Sequence, residues 1–180
     1  MERRSRHTTP RSIRLCITHR HHKKKVKYVS YDIVFREIPD EVTLAINLSG
    51  CPIHCKGCHS PHLWQDIGDP LTTDRMAVLL DEYRGLITCV CLMGGDAEPQ
   101  IVQQLLQFAR RHADGIRTAW YSGRNEAPAG FDLSVLDYLK LGPYMEQYGP
   151  LDKPTTNQRL LRIHPDGTRT DITHRLQKKG

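Results

Sequence analysis

The sequence predicts an α/β fold with a mainly parallel sheet, on three observations. Apolar segments of strand length alternate with segments of helical periodicity after residue 28. The length of 180 residues suits one domain with its own core, and the hydrophobic content of 38% is ordinary for a soluble protein. Glycine-containing segments follow the central strands, where such sheets collect ligands. We therefore expect one α/β domain over residues 28–180.

Each element is predicted from a local pattern. Strands are expected where β-branched and apolar residues concentrate, at residues 29–37, 42–48, 87–93, 116–121, 134–141 and 159–164. A helix is predicted over 75–83, because apolar residues recur there at helical spacing behind candidate N-caps at Thr72 and Thr73. The segment 99–112 has apolar residues on one face and predicts a second helix.

The basic charge of the chain is concentrated in its first 27 residues. They carry ten Lys or Arg and one acid, a net charge of +9, whereas residues 28–180 carry sixteen basic and nineteen acidic side chains, a net of −3. Residues 1–27 have few apolar side chains and no sustained periodicity, so we expect a disordered basic extension. Because residues 28–180 have a net negative charge, we do not expect them to bind nucleic acid.

The apolar runs and the cysteines together indicate the compartment. No apolar run approaches the length of a membrane span, and the N-terminus lacks the apolar stretch of a secretory signal. Three of the six cysteines lie in one short loop, which favours reduced, metal-binding thiols over disulfides. We therefore expect a cytosolic protein without membrane attachment.

Cys51, Cys55 and Cys58 stand at Cys-x3-Cys-x2-Cys spacing directly after the second predicted strand. Thiolates hold iron–sulfur clusters, and three of them leave one iron of a four-iron cluster open to another ligand. The alternative is a structural zinc site with His54 or His59 as its fourth ligand. Structural zinc sites usually pair two ligands with two more farther along the chain, and no such second pair follows here.

The two later cysteines are expected in the core. Cys89 and Cys91 lie in an apolar run that predicts a buried strand, and one residue between them is too tight for the usual zinc knuckle.

Two further segments follow predicted strands. Gly94-Gly-Asp96 comes after the strand at 87–93, and Tyr121-Ser-Gly123 ends the strand at 116–121. Paired glycines let a ligand approach the backbone, and Asp96 can accept hydrogen bonds from an ammonium group. Gly-Gly-Asp alone is as often only a turn. Its place after the strand that follows the cysteine loop indicates a shared site.

These residues together resemble a known superfamily. Cys51-x3-Cys55-x2-Cys58 with Gly94-Gly-Asp96 resembles the radical S-adenosylmethionine superfamily, and the run from Cys55 to Trp64 is similar to the small glycyl-radical activases. The similarity is greatest to the activating proteins of the anaerobic ribonucleoside-triphosphate reductase and spans residues 27–163. It includes Leu141-Gly-Pro-Tyr144 and Thr155-Thr-Asn-Gln-Arg159. Leu141 departs from many activases, which have Asp before the Gly-Pro pair.

The resemblance implies a radical S-adenosylmethionine catalytic domain over residues 28–180 with two cofactors. The first is one 4Fe-4S cluster with three cysteine ligands, Cys51, Cys55 and Cys58. The second is S-adenosylmethionine, bound by Gly94, Gly95, Asp96, Ser122 and His59. Trp64 would pack near the cluster or the adenine, and Lys140 and Tyr144 would be neighbours of the site. Residues 157–159 fit a site edge, a partner surface or only a polar turn.

The resemblance also implies a reaction and partners. Activases of this family cleave S-adenosylmethionine reductively and use the 5′-deoxyadenosyl radical to generate a glycyl radical on the reductase. The expected partners are therefore the anaerobic ribonucleoside-triphosphate reductase and a low-potential electron donor such as a flavodoxin. A full barrel of eight strand–helix units needs about 200 residues or more. We expect a small, partial, open radical-SAM-type β/α barrel, whose open side suits a macromolecular substrate.

Other functions share part of the pattern. A radical enzyme acting on another glycyl-radical protein, or on a small molecule in the manner of a deazaguanine synthase, would have the same cysteine loop. An iron–sulfur electron carrier would normally use four protein ligands. A structural zinc protein would bind zinc in place of iron.

Overall fold

The structure, a computed structural model, describes residues 25–177. Its strands are β1 Lys27–Val34, β2 Thr43–Leu48, β3 Asp69–Pro70, β4 Cys89–Met93, β5 Arg117–Tyr121, β6 Tyr138–Leu141, β7 Arg159–Ile163 and β8 Arg169–Asp171. They form one sheet in the order β3-β1-β2-β4-β5-β6-β7-β8. The α-helices of the described residues are α1, Thr73–Glu82, and α2, Pro99–His112.

The sheet is parallel at its centre and antiparallel on both sides. β2, β4, β5 and β6 pair parallel, whereas β1 and β3 on one side, and β7 and β8 on the other, pair antiparallel. The sequence predicts a mainly parallel sheet, so this is a correction: the sheet is mixed. Parallel neighbours need a crossover, and the segments before β2, β7 and β8 instead reverse the chain direction without an α-helix.

Several predicted boundaries also shift. β1 begins at Lys27, and Val26 before it is already buried, so the folded part starts earlier than residue 28. The rest of the expected basic extension lies outside the described residues. The strand expected at 134–141 begins only at Tyr138, behind a 3-10 turn at Leu133–Val135. Both predicted helices are confirmed, and Thr72 caps α1 by accepting a hydrogen bond from the Arg75 backbone N–H.

The sheet has an apolar core on each face. In β4, Val90 and Leu92 join the larger core, which also contains the buried residues of α1 and α2. Cys89 and Cys91 point the other way, into a smaller core with Tyr138. Both thiols are fully buried, and burial raises the pKa of each, so the prediction that they are core residues is confirmed.

The parallel strands end together at one edge of the sheet. Asn47 pairs with Met93, Met93 with Tyr121, and Tyr121 with Lys140, each at or next to the last residue of its strand. The segments that follow these four strands therefore begin side by side. Within residues 25–177, no helix is long and apolar enough to cross a membrane.

Candidate cluster and cofactor site

The edge where the parallel strands end brings the predicted site segments together. The cysteine loop follows β2, Gly94 follows β4, Ser122 follows β5 and Gly142 follows β6. The loops also touch one another. A Cβ placed on Gly123 would lie only 2.8 Å from Ile53 Cγ1, so the segment after β5 packs closely against the middle of the cysteine loop.

The cysteine loop, residues 49–60, is closed by backbone hydrogen bonds. The N–H groups of Gly50 and Cys51 donate to the carbonyl oxygens of Gln65 and Leu63, each at 2.9 Å. Inside the loop, Cys58 N–H donates to the Cys55 carbonyl oxygen at 3.1 Å. The last bond closes a turn that contains Cys55 and Cys58, whereas Cys51 is held by the segment after the loop. Each of the three cysteines is half-buried and in no disulfide.

The thiols of this loop differ in environment. Burial raises the pKa of Cys51, and the nearby Asp96 carboxylate adds to the rise, while backbone N–H groups of Ile53 and His54 oppose it. The Ser60 N–H donates a hydrogen bond to Cys58 Sγ at 3.4 Å. N–H groups directed at sulfur stabilise thiolate and cluster ligands.

The two loop histidines lie against aromatic rings. His54 stacks on Trp64 with ring centroids 4.9 Å apart, and His59 lies 5.1 Å from the ring of Tyr144. Among residues 25–177, no three His, Cys, Asp or Glu side chains form a group placed to hold a single metal ion. That absence among the described residues covers the three cysteines as well as the two histidines, so it does not separate the zinc interpretation from the iron–sulfur interpretation.

Gly94 and Gly95 connect β4 to α2 with their backbone groups engaged in the fold. Gly94 N–H donates to the Tyr121 carbonyl oxygen at 2.9 Å, and its own carbonyl oxygen accepts from Trp120 Nε1 at 2.7 Å. Gly95 has a φ of +81°, and a Cβ there would lie 2.6 Å from Val102 Cγ2. Gly94 also has a positive φ, +97°, so the backbone conformation favours glycine at both positions whether or not a ligand approaches them.

Asp96 is almost completely buried, at 1% exposure, and binds the segment after β5. Its Oδ1 accepts from Ser122 Oγ at 2.5 Å, and its Oδ2 accepts from the Gly123 N–H at 3.1 Å. Arg124 donates from Nη2 to the Asp96 carbonyl oxygen at 2.7 Å. Asp96 and Ser122, predicted to contact one cofactor, therefore contact each other.

Lys140 places an ammonium group in the buried part of this edge. Its Nζ donates to the carbonyl oxygens of Gly142, at 2.6 Å, and Ser122, at 3.5 Å. Burial lowers the pKa of Lys140 to about 8, and the nearby Asp96 carboxylate opposes this shift. Lys140 forms no ion pair within 4 Å among the described residues. An ammonium carries three donors, so it can bind an anionic group.

The residues present fit an iron–sulfur cluster. The donor set is three reduced, partly exposed thiols in one loop, and soft thiolates are the ligands that such clusters take. Within the described residues, Trp64 Nε1 is a buried donor without a hydrogen-bond partner, and its ring lies against His54 of the same loop. An unpaired buried donor beside a cysteine loop suits a site that receives an acceptor-rich group.

A comparison with protein families also supports an iron–sulfur cluster in this chain. Residues 42–125 match the model of a 4Fe-4S single cluster domain, a range that includes the cysteine loop, Asp96 and Ser122. No curated protein and no solved structure matches the chain. The match supports iron–sulfur binding in this part of the chain, and it assigns neither S-adenosylmethionine nor a particular activase family.

Sequence reasoning missed Arg124, and it named Tyr144 and residues 157–159 without the contacts that the fold gives them. Arg124 has no motif of its own, yet it lies on Asp96. Tyr144 approaches the cysteine loop so closely that a Cβ on Gly57 would lie 3.2 Å from its Cε1. Asn157 donates from Nδ2 to the Pro143 carbonyl oxygen, whereas Arg159 lies in β7 and approaches Asp171. The segments Leu141-Gly-Pro-Tyr144 and Thr155-Thr-Asn-Gln-Arg159 marked these positions in the sequence, but not which atoms meet.

Proposed function

We propose that this chain is a radical S-adenosylmethionine activase that generates a glycyl radical on the anaerobic ribonucleoside-triphosphate reductase. The observation that carries the proposal is the convergence of the cysteine loop, Gly94-Gly-Asp96, Ser122 and Lys140 at one edge of the sheet. The 4Fe-4S match and the resemblance of the motifs support it.

Cys51, Cys55 and Cys58 would hold the 4Fe-4S cluster. When bound and reduced, such a cluster supplies one electron that cleaves the sulfonium carbon–sulfur bond of S-adenosylmethionine, which leaves methionine and a 5′-deoxyadenosyl radical. The chain's own residues bind and orient the reactants and exclude water. The fully buried side of the site, formed by Asp96 and Ser122, is suited to that exclusion.

Charged groups of the site match the two charges of an amino acid. Lys140 would bind the carboxylate of the methionine part, because its ammonium has donor capacity beyond two backbone carbonyls. Asp96 would accept from the methionine ammonium. Both of its oxygens already accept protein hydrogen bonds, and a carboxylate has further lone pairs. The ligand would share this carboxylate with Ser122 and Gly123.

A cavity on the face of the sheet opposite α1 and α2 suits a macromolecular substrate. It has a volume of about 600 Å³ and is lined by Met93 and Tyr121, which precede Gly94 and Ser122 directly. Phe35 stands at this cavity with 70% of its surface exposed. An exposed aromatic side chain at an open cavity is typical of an interaction surface. A glycine-bearing loop of the reductase would enter here.

The test is anaerobic reconstitution with iron and sulfide, followed by reduction and addition of S-adenosylmethionine and the reductase. We expect 5′-deoxyadenosine and a glycyl radical signal by electron paramagnetic resonance. Both should disappear in Cys55→Ala and persist in the matched control Cys91→Ala, which removes a buried thiol of β4. Tight zinc binding without iron–sulfur assembly would refute the proposal, and so would a reducible cluster that never cleaves S-adenosylmethionine.

A further inference from the structure

Residues 143–149, here named the cover segment, lie over the cysteine loop. The ring of Tyr144 faces His59 at 5.1 Å and limits the space above Gly57. Gly57 and His59 are the two neighbours of Cys58 in the chain. Tyr144 therefore lies close to both chain neighbours of the third cysteine.

The cover segment contains no helix or strand and has few backbone bonds of its own. Tyr148 and Gly149 donate to the carbonyl oxygen of Met145, which forms one turn. Met145 and Tyr148 are large apolar residues that stay exposed. The segment therefore needs partners outside itself to remain in place.

Three consecutive side chains provide those partners. Thr155 Oγ1 donates to the Tyr148 carbonyl oxygen at 2.7 Å, and Thr156 Oγ1 to that of Gly149 at 3.5 Å. Asn157 Nδ2 donates to the Pro143 carbonyl oxygen at 2.9 Å. The acceptors lie at both ends of the cover segment, so these three donors fix the position of the whole segment.

We propose that Thr155, Thr156 and Asn157 are positioning residues that hold Tyr144 over Cys58 and thereby limit access to this thiol and to iron bound by it. They act through the cover segment and contact none of the three cysteines in the described structure. Access to Cys58 itself can be measured in the metal-free protein, and only the second readout rests on the proposed function.

The first experiment alkylates the reduced, metal-free protein with iodoacetamide and follows each cysteine by mass spectrometry. Thr155→Val removes one donor at constant shape, and we expect Cys58 to react about three- to tenfold faster, the range for one lost hydrogen bond. Asn157→Asp replaces the amide donor with a carboxylate that repels the Pro143 carbonyl, and we expect a larger increase. Thr155→Ser keeps the donor and should react as the wild type does.

Controls separate this effect from general loosening. Thr168→Val removes a hydroxyl that donates to Asp166 in a distant turn, and it should leave Cys58 unchanged. Cys89 is fully buried and reports global opening, so its rate should stay constant in every variant. Tyr144→Ala should expose Cys58 by itself, and adding Asn157→Asp to it should give no further increase.

The second experiment measures how fast a chelator removes iron from the reconstituted protein. We expect faster loss in Asn157→Asp and Thr155→Val than in Thr168→Val. The proposal is overturned if Cys58 reacts at the wild-type rate in Asn157→Asp, or if Cys89 accelerates in parallel with it. Failure of the proposed function, seen as absence of S-adenosylmethionine cleavage, would leave the alkylation result intact.

Discussion

Asp96 and Lys140 place opposite charges in the buried part of the edge where the parallel strands end. Burial of a charge is costly unless hydrogen bonds compensate it, and both groups have such bonds. The sequence predicted Asp96 as a site residue from its motif. It could not predict that Asp96 binds Ser122, because that contact depends on the parallel register of β4 and β5.

Asp96→Asn should destabilise the fold. An amide offers one acceptor where the carboxylate uses two, so the Ser122 hydroxyl or the Gly123 N–H loses its partner. We expect a loss of about 1–3 kcal/mol in the free energy of unfolding, measured by urea denaturation of the metal-free protein. Asp132→Asn is the matched control, because Asp132 also accepts from a hydroxyl and an N–H, both of Ser134, but at an exposed turn. An equal loss in both variants would contradict this role.

Lys140→Met should change how stability depends on pH. The pKa of Lys140 is about 8 in the folded protein, below the value of about 10.4 in an unfolded chain. Between these values the unfolded state binds more protons, so this lysine makes stability rise with pH, and its burial penalty is fully present below pH 8. Wild type should therefore gain stability relative to Lys140→Met from pH 8 to about 10.4, measured by denaturation at several pH values. Parallel pH curves would contradict the lowered pKa.

At the scale of elements, strands and helices with strong periodicity could be predicted, and their pairing could not. Both faces of β4 are buried, so its residues form one continuous apolar run, which is why β4 was predictable as a buried strand. β3 has two residues and β8 has three, and neither carries an apolar pattern. The antiparallel flanks were missed because chain reversal depends on how loops pack, which short polar segments do not encode clearly.

Gly95→Ala should disrupt the connection between β4 and α2. The new Cβ would lie 2.6 Å from Val102 Cγ2 and 2.8 Å from Leu48 Cδ1, at a φ of +81°. Overpacking costs about 1–3 kcal/mol, and positive φ about 1–2 kcal/mol more. Gly115→Ala, after α2, has a similar φ of +73° but open space around its Cβ, so it should show only the second cost. Thermal unfolding of both variants measures the difference, and equal melting temperatures would refute the packing argument.

At the scale of the whole molecule, the two faces of the sheet differ. α1 and α2 cover one face, and on the other face a cavity of about 600 Å³ opens beside Phe35, Met93 and Tyr121. The open barrel remains a prediction. A cavity that opens on this face next to the candidate site is what a protein substrate would require under the proposed function.

Under the proposed function, Phe35→Ala should weaken activation of the reductase more than cleavage of S-adenosylmethionine. Phe35 is 70% exposed, so its removal should hardly affect stability, while a partner that buries it would lose about 3 kcal/mol or less of binding energy. Leu86→Ala is the matched control, because Leu86 is 66% exposed and is not among the residues that line the cavity. The effect is measured as the ratio of glycyl radical formed to 5′-deoxyadenosine formed. Equal losses in both variants would place the partner elsewhere.

The contact between Ile53 and Gly123 has a thermodynamic consequence for the binding of iron and of a second cofactor. Gly123 lies between the Asp96 carboxylate, which binds its N–H, and Ile53, which stands between the first two cysteines. Any displacement of the cysteine loop on gaining iron therefore acts on the loop that would bind the second cofactor. Because such coupling is reciprocal, a cofactor that binds better to the iron-loaded form must also hold the iron more tightly.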